Sequence, residues 1–168
     1  MRPNTHSTVS SFSLITRQGD FSVTTYDIAG HASGLCEAKY WGLISWLEIY
    51  AQDTHCILLC YSIASEQSFE EIHKWLDAIS EDKKNHDIPI ILLGTKQDLE
   101  LSERHVQTDQ GKLEKARIGQ RCKHFQEISA FHHDERKGRS ALKWLLLKQI
   151  FPTAMEYAAQ RRPRPTST

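Results

Sequence analysis

The feature that most restricts this chain is a pair of unbroken apolar runs, Cys56-Ile57-Leu58-Leu59-Cys60-Tyr61 and Ile88-Pro89-Ile90-Ile91-Leu92-Leu93. Each has the length of a strand, and neither alternates with polar residues. A strand with one wet face alternates, so an unbroken run predicts a strand covered on both faces. Pro89 is tolerable near the start of its run, where a missing N–H disturbs the ladder least. Between the runs, Phe69, Ile72, Leu76 and Ile79 recur at helical spacing as one apolar stripe, and Ser65 stands where an N-cap belongs. Further on, Thr108 is placed to cap a helix ending at Gly119, His124 to Ile128 reads as a short strand, and Leu142, Leu145, Leu146 and Ile150 share one face of a last helix. Pro152 either breaks that helix or starts a further turn. Strand, helix, strand, helix, strand, helix in this order predicts an α/β fold, a mainly parallel sheet with helices on both faces.

The first half reads differently. Residues 1 to 11 are polar and carry no periodic signal. Phe12 to Thr16 and Phe21 to Ile28 read as strands of an antiparallel hairpin, joined through Arg17-Gln18-Gly19-Asp20, with Gly19 able to take positive φ. From 31 to 54 the apolar residues, Trp41 and Trp46 among them, are mixed in period, and a partly helical stretch is expected.

With 168 residues, one domain with one core is expected over 1–160, followed by a disordered basic tail over 161–168. Lys plus Arg and Asp plus Glu number 21 each, so no net charge draws the chain to nucleic acid. No apolar run reaches membrane-spanning length. No signal peptide, myristoylation site, C-terminal prenylation Cys or other lipid anchor motif is expected. Cys36, Cys56, Cys60 and Cys122 lack zinc-like spacing and are expected as reduced, structural thiols of a cytoplasmic protein.

In an open α/β sheet, ligands sit beyond the carboxyl ends of the strands. Three short motifs fall at such ends: Asp27-Ile28-Ala29-Gly30-His31, Gly94-Thr95-Lys96-Gln97-Asp98-Leu99 and Ser129-Ala130-Phe131. Each alone is weak; the ordered set is not. From residue 3 to about 151 the set resembles the Ras superfamily of small GTPases, with the P-loop NTPase-like three-layer fold that implies. The Rho branch is the most similar, through Cys56 to Ser62, Thr95 in place of a more usual Asn, and Asp109-Gln110-Gly111 through Ile118-Gly119 to Ser129-Ala130. The helix typical of that branch has no counterpart between Leu99 and Val106.

The resemblance implies GTP/GDP and Mg2+ as cofactors. Asp98 would accept from guanine N1 and its exocyclic amine, Thr95 opens that motif, the Lys96 stem would lie on the base, and the Ala130 amide after Ser129 would donate to O6. Asp27 would hold magnesium through water, the Gly30 amide would face the γ-phosphate, and Thr5 would be the switch residue that binds magnesium. It also implies effector and regulator proteins as partners of a monomer that binds them near 3 to 10 and 30 to 50 and reaches membranes peripherally, through those partners.

Three departures stand against a competent enzyme. No G-x-x-x-x-G-K-[ST] motif occurs in the 168 residues; the Gly111-Lys112 pair has Val106 where the earlier Gly belongs. Losing about four charged hydrogen bonds of roughly 1.5–3 kcal/mol each would weaken phosphate binding by some four or more orders of magnitude. The family's first strand, which lies mid-sheet, also has no counterpart, so an incomplete N-terminus is expected. Third, His31 stands where a water-positioning Gln is usual, so slow hydrolysis is expected. The alternatives are a pseudo-GTPase serving as an interaction module and, more remotely, a flavodoxin-like domain.

Overall fold

A computed structural model describes residues 8–17, 19–28, 53–81, 87–129 and 145–161. The chain divides into two compact units, Met1–Trp41 and Gly42–Thr168.

In the first unit, β1 (Thr8–Thr16) and β2 (Gly19–Asp27) form an antiparallel hairpin with Thr8 opposite Asp27 and Thr16 opposite Gly19. The first strand starts at Thr8, four residues before the expected Phe12, inside a stretch read as patternless. Hydroxyls take the place of apolar alternation there: Ser11 Oγ and Thr24 Oγ1 lie 3.1 Å apart across the strands, and Thr25 Oγ1 donates to the Ser10 carbonyl at 3.2 Å. Such cross-strand pairs stabilise a sheet without a buried face. Gly19, at φ 133°, closes the turn in a conformation that side chains avoid.

In the second unit, β3 (Ile57–Ser62), β4 (Ile90–Thr95) and β5 (Cys122–Ile128) form a parallel sheet in the order β3-β4-β5. Both apolar runs become strands, shifted one or two residues toward their carboxyl ends. Ile88 and Pro89 stay off the ladder, but their carbonyls accept from Arg121 Nε and the Ile57 amide, each at 2.9 Å.

One face of this sheet packs under α1 (Glu66–Glu81) and α2 (Thr108–Ile118), in a core of Leu59, Tyr61, Ile63, Ile72, Ile90, Leu92 and Val106. The other face buries Ile91, Leu93 and Ile128 against Leu145 and Ile150. These are the three layers expected. Ile90, Ile91 and Leu92 are fully buried. Each contributes roughly 1.5–3 kcal/mol, against about 0–1 kcal/mol for a surface ion pair, so the sheet interior carries most of the stability.

The caps follow local chemistry. Ser65 Oγ accepts the Ser68 amide at 3.2 Å and starts α1 as expected. The cap of α2 is Gln107, not Thr108: Gln107 and Gln110 form a reciprocal capping box, with the Gln107 amide donating to Gln110 Oε1 at 2.6 Å. Thr108 Oγ1 is engaged instead with Glu127. Gly119 ends α2 at φ 76°.

Pro152 does not break the last helix. A π-type turn over Leu146–Ile150 precedes it and runs straight into α3 (Phe151–Arg161). A widened turn is one way a helix accommodates a residue without an N–H. Arg161 still belongs to α3, its guanidinium 5.3 Å from the Tyr157 ring centroid, so the helix extends one residue into the stretch expected as tail. Residues 162–168 and 29–52, with Trp41 and Trp46, lie outside the described residues. Burial pushes the Cys56 thiol up to about 12, with Cys122 adding to it, so Cys56 is inert. No described helix is long and apolar enough to cross a membrane.

Candidate functional site

The site is built at the carboxyl ends of β4 and β5. Gly94 sits where a Cβ would meet Glu127 Cγ at 3.0 Å and Tyr61 Oη at 3.1 Å, so the strand narrows there of necessity. Thr95 Oγ1 then donates to the Tyr61 carbonyl at 2.8 Å, and the Thr95 carbonyl accepts the Ile63 amide at 3.1 Å. The Ile63 carbonyl in turn accepts the His105 and Val106 amides at 2.9 and 2.8 Å. The segments following β3 and β4 are thereby fixed to each other.

Lys96 comes next, at φ 67°, the one non-glycine residue in positive φ among the described residues. That conformation costs an L-residue with a Cβ about 1–2 kcal/mol. Its neighbours hold it there. The Gln97 amide donates to the Ile128 carbonyl at 3.1 Å, and the Leu99 amide donates to the Lys96 carbonyl at 3.1 Å. Lys96, Gln97 and Asp98 are exposed, while Ser129, one residue past the Ile128 carbonyl, is buried.

Thr95, Lys96, Asp98 and Ser129 are thus brought to one edge of one sheet. A carboxylate on a braced loop accepts two N–H groups from the edge of a planar heterocycle, and a lysine stem offers an apolar surface to its face. Ala130, Gly30 and Thr5 lie outside the described residues, as does His31. Asp27 is exposed at the end of β2, in the other unit. No group of three or more metal-ligating side chains occurs among the described residues. Of the expected magnesium ligands only Asp27 is described.

Sequence reasoning missed what stands beneath this edge. Glu127 is an ion-pair partner of Arg104 and accepts from Thr108 Oγ1 at 3.2 Å, while Arg104 Nη2 also donates to Thr108 Oγ1 at 2.9 Å. This clamp pins the start of α2 to the end of β5. No spacing rule links residues that far apart in sequence. Nearby, burial and the charge of Glu127 push the Tyr61 phenol up to about 12, opposed in part by Arg104.

A parallel sheet layered between helices, with a braced loop past the carboxyl end of its middle strand, is an open α/β arrangement of the kind that places ligands at that edge. A profile described as the Ras family matches residues 44–138, more than half the length, and the chain belongs to that family. It is 35% identical over 151 residues to the Ras-like GTP-binding protein RhoL of Drosophila melanogaster, covering 88% of this chain and 66% of that one. It is 34% identical over 80 residues to the Ras-related protein RabK2 of Dictyostelium discoideum, covering 48% and 46%. To the GTP-binding protein REM 2 of Rattus norvegicus it is 28% identical over 124 residues, covering 73% and 34%. The chain therefore spans between about a third and two-thirds of the length of these relatives.

Proposed function

We propose that this protein is a Rho-like small GTPase, a guanine-nucleotide-dependent signalling switch in which the base-recognition half of the site is intact and hydrolysis is impaired. The observation that carries this reading is the bond from the Gln97 amide to the Ile128 carbonyl, which seats the Thr95-Lys96-Gln97-Asp98 loop beside Ser129. Asp98 selects guanine by accepting from N1–H and the exocyclic amine; adenine presents a bare N1 there. Lys96 supports the base, Thr95 braces the loop, and the Ala130 amide, following Ser129, meets the guanine O6. The Gly30 amide would face the γ-phosphate, and Asp27, through water, and Thr5 would hold magnesium, which when bound would neutralise phosphate charge. His31 in place of a water-positioning Gln slows hydrolysis. The similarity to RhoL supports the branch, as does Thr95 at the head of the base motif.

In this reading residues 1–161 make one small-GTPase-like domain, since α3 carries through Arg161, and 162–168 a basic tail. The protein acts as a cytoplasmic monomer that meets effectors and regulators near 3 to 10 and 30 to 50 and reaches membranes through them. A second reading, a pseudo-GTPase acting as an interaction module, is favoured by one observation: no G-x-x-x-x-G-K-[ST] occurs within these 168 residues.

Titration of the purified chain with a fluorescent GTP analogue and magnesium, competed by GTP and by ATP, decides between them. Binding displaced by GTP and not by ATP supports the switch. A folded chain that binds neither nucleotide supports the interaction module or an enzyme separated from its phosphate loop, and an upstream G-x-x-x-x-G-K-[ST] segment in the transcript decides between those two.

A further inference from the structure

β1 and β2 form a sheet of two strands, and a two-stranded hairpin alone is marginal in water. β1 pairs with β2 along one edge; along residues 9–15 its other edge meets no strand among the described residues. Alternate residues there turn an N–H and a C=O outward, which makes a template for a further strand. Monomeric proteins blunt such an edge with Lys, Pro, a bulge or an inward-pointing charge. β1 has none of these: its sequence carries no charge and no proline, and its register on β2 is unbroken. It does hold three large apolar side chains in the open, with Val9 55%, Phe12 40% and Ile15 79% exposed.

The order of its residues says what covers them. Outward from Phe12 the strand reads nearly alike in both directions: Ser11 answers Ser13, Val9 answers Ile15, and Thr8 answers Thr16. Only Ser10 and Leu14 differ in kind. An antiparallel twofold through Phe12 therefore lays β1 on a second copy of itself, like against like. This is the register that pairs all nine residues of the strand. It sets odd residues against odd and even against even, so the set whose backbone groups face outward meets the same set of the second copy. On one face Val9 then faces the second copy's Ile15, and Ile15 its Val9. On the other face the two Phe12 rings meet at the axis, each flanked by the Val23 opposite it on β2. No charge of β1 opposes another, because the strand has none.

We propose that two copies of this chain pair through β1 in this register, joining their hairpins into one four-stranded antiparallel sheet. A single pair of strands roughly 30 Å long buries less than the roughly 1,200–2,000 Å2 of a stable complex. The dimer is therefore weak and reversible: dilute chain is monomeric, and pairing occurs where copies are concentrated. The pairing owes nothing to nucleotide binding.

The test is sedimentation velocity of the 168-residue chain over a series from micromolar to millimolar concentration. A reversible monomer–dimer equilibrium is expected. Two double variants probe the register, Val9→Lys with Ile15→Lys and Val9→Glu with Ile15→Glu. Each turns both contacts between positions 9 and 15 into like-charged pairs, and each variant alone is expected to dimerise about tenfold or more weakly. Mixed in equal amounts, they bring opposite charges together, and dimerisation is expected to return. Both positions are more than half exposed, so the substitutions leave no hole in a core. The unaltered chain gives a second reading. Val9 and Ile15 lie roughly 20 Å apart within one strand, so isotope-filtered NOEs between their methyl groups, expected at high concentration, arise only between copies. A chain that stays monomeric throughout the series, association that continues past the dimer, variants that dimerise as the parent does, a mixture no stronger than its components, or a dimer without those NOEs overturns the proposal.

Discussion

The Gln97 amide and the Ile128 carbonyl, 3.1 Å apart, join the ends of two neighbouring parallel strands beyond their ladder. That single bond makes one edge out of two loops. It also explains why Lys96 tolerates positive φ: relaxing Lys96 would pull Gln97 off β5.

If the strain at Lys96 is held for the sake of the base, stability and affinity will move in opposite directions there. Lys96→Gly is expected to raise stability by about 0.5–1 kcal/mol, the strain relieved less the added chain entropy. It is expected to lower GTP affinity through loss of the stem. Lys96→Ala keeps the strain and should lower affinity alone. Urea denaturation and nucleotide titration of both variants read the two effects separately.

Asp98 is the guanine discriminator in the proposed function. Asp98→Ala removes an acceptor of two N–H groups, so GTP affinity is expected to fall by about a hundredfold or more. In the competition assay, GTP and ATP should then displace the fluorescent analogue equally. A retained preference for GTP would move discrimination elsewhere.

The Arg104–Glu127 pair is largely buried, with side chains 11% and 7% exposed. Arg104→Ala strands a buried carboxylate and is expected to cost about 3–5 kcal/mol. Replacing both, as Arg104→Met with Glu127→Leu, should recover most of that loss, because the desolvated charge goes too. Chemical denaturation of the single and double variants measures the difference.

Gly111 is irreplaceable for a packing reason. A Cβ there would lie 2.3 Å from Phe125 Cζ and 2.6 Å from Tyr61 Oη. Gly111→Ala gains about 1 kcal/mol of helix propensity but overpacks the contact of α2 with β5 at a cost of about 1–3 kcal/mol. A net loss is expected, and Phe125→Leu in the same chain should reverse part of it. Thermal unfolding of the parent and the two variants suffices.

Tyr61 sets an alkaline limit. Its phenol is pushed from 10 up to about 12 by burial and by the charge of Glu127. The folded state thus prefers the neutral phenol. The stability this gives is fully present below pH 10 and is lost as pH rises from there through about 12. Tyr61→Phe should flatten that decline. It should also raise stability near neutrality by about 1 kcal/mol, since the buried hydroxyl has no partner among the described residues. Urea midpoints against pH for both proteins report both effects.

The legible part of the molecule is the part with local causes. Two apolar runs, a stripe at helical spacing and Ser65 were enough to place β3, α1 and β4, because burial on both faces leaves a run without alternation. Thr108 was misjudged as a cap because a hydroxyl at that position suits a cap, and nothing local shows that Glu127 claims it. The polar strand from Thr8 was missed because cross-strand hydroxyl pairs leave no apolar period. The base motif was visible as Thr95 to Asp98, but the positive φ of Lys96 was not, since lysine carries no preference for it.

The sequence by itself determined the layered parallel sheet of the second unit and the order in which its loops reach the carboxyl edge, because periodicity and capping act between near neighbours. Only the tertiary structure decided that Gln97 bonds to Ile128 and that Arg104 meets Glu127. Those contacts join residues whose distance along the chain says nothing about their distance in space. They exist because pairing β4 with β5 and packing α2 on one sheet face bring them within reach.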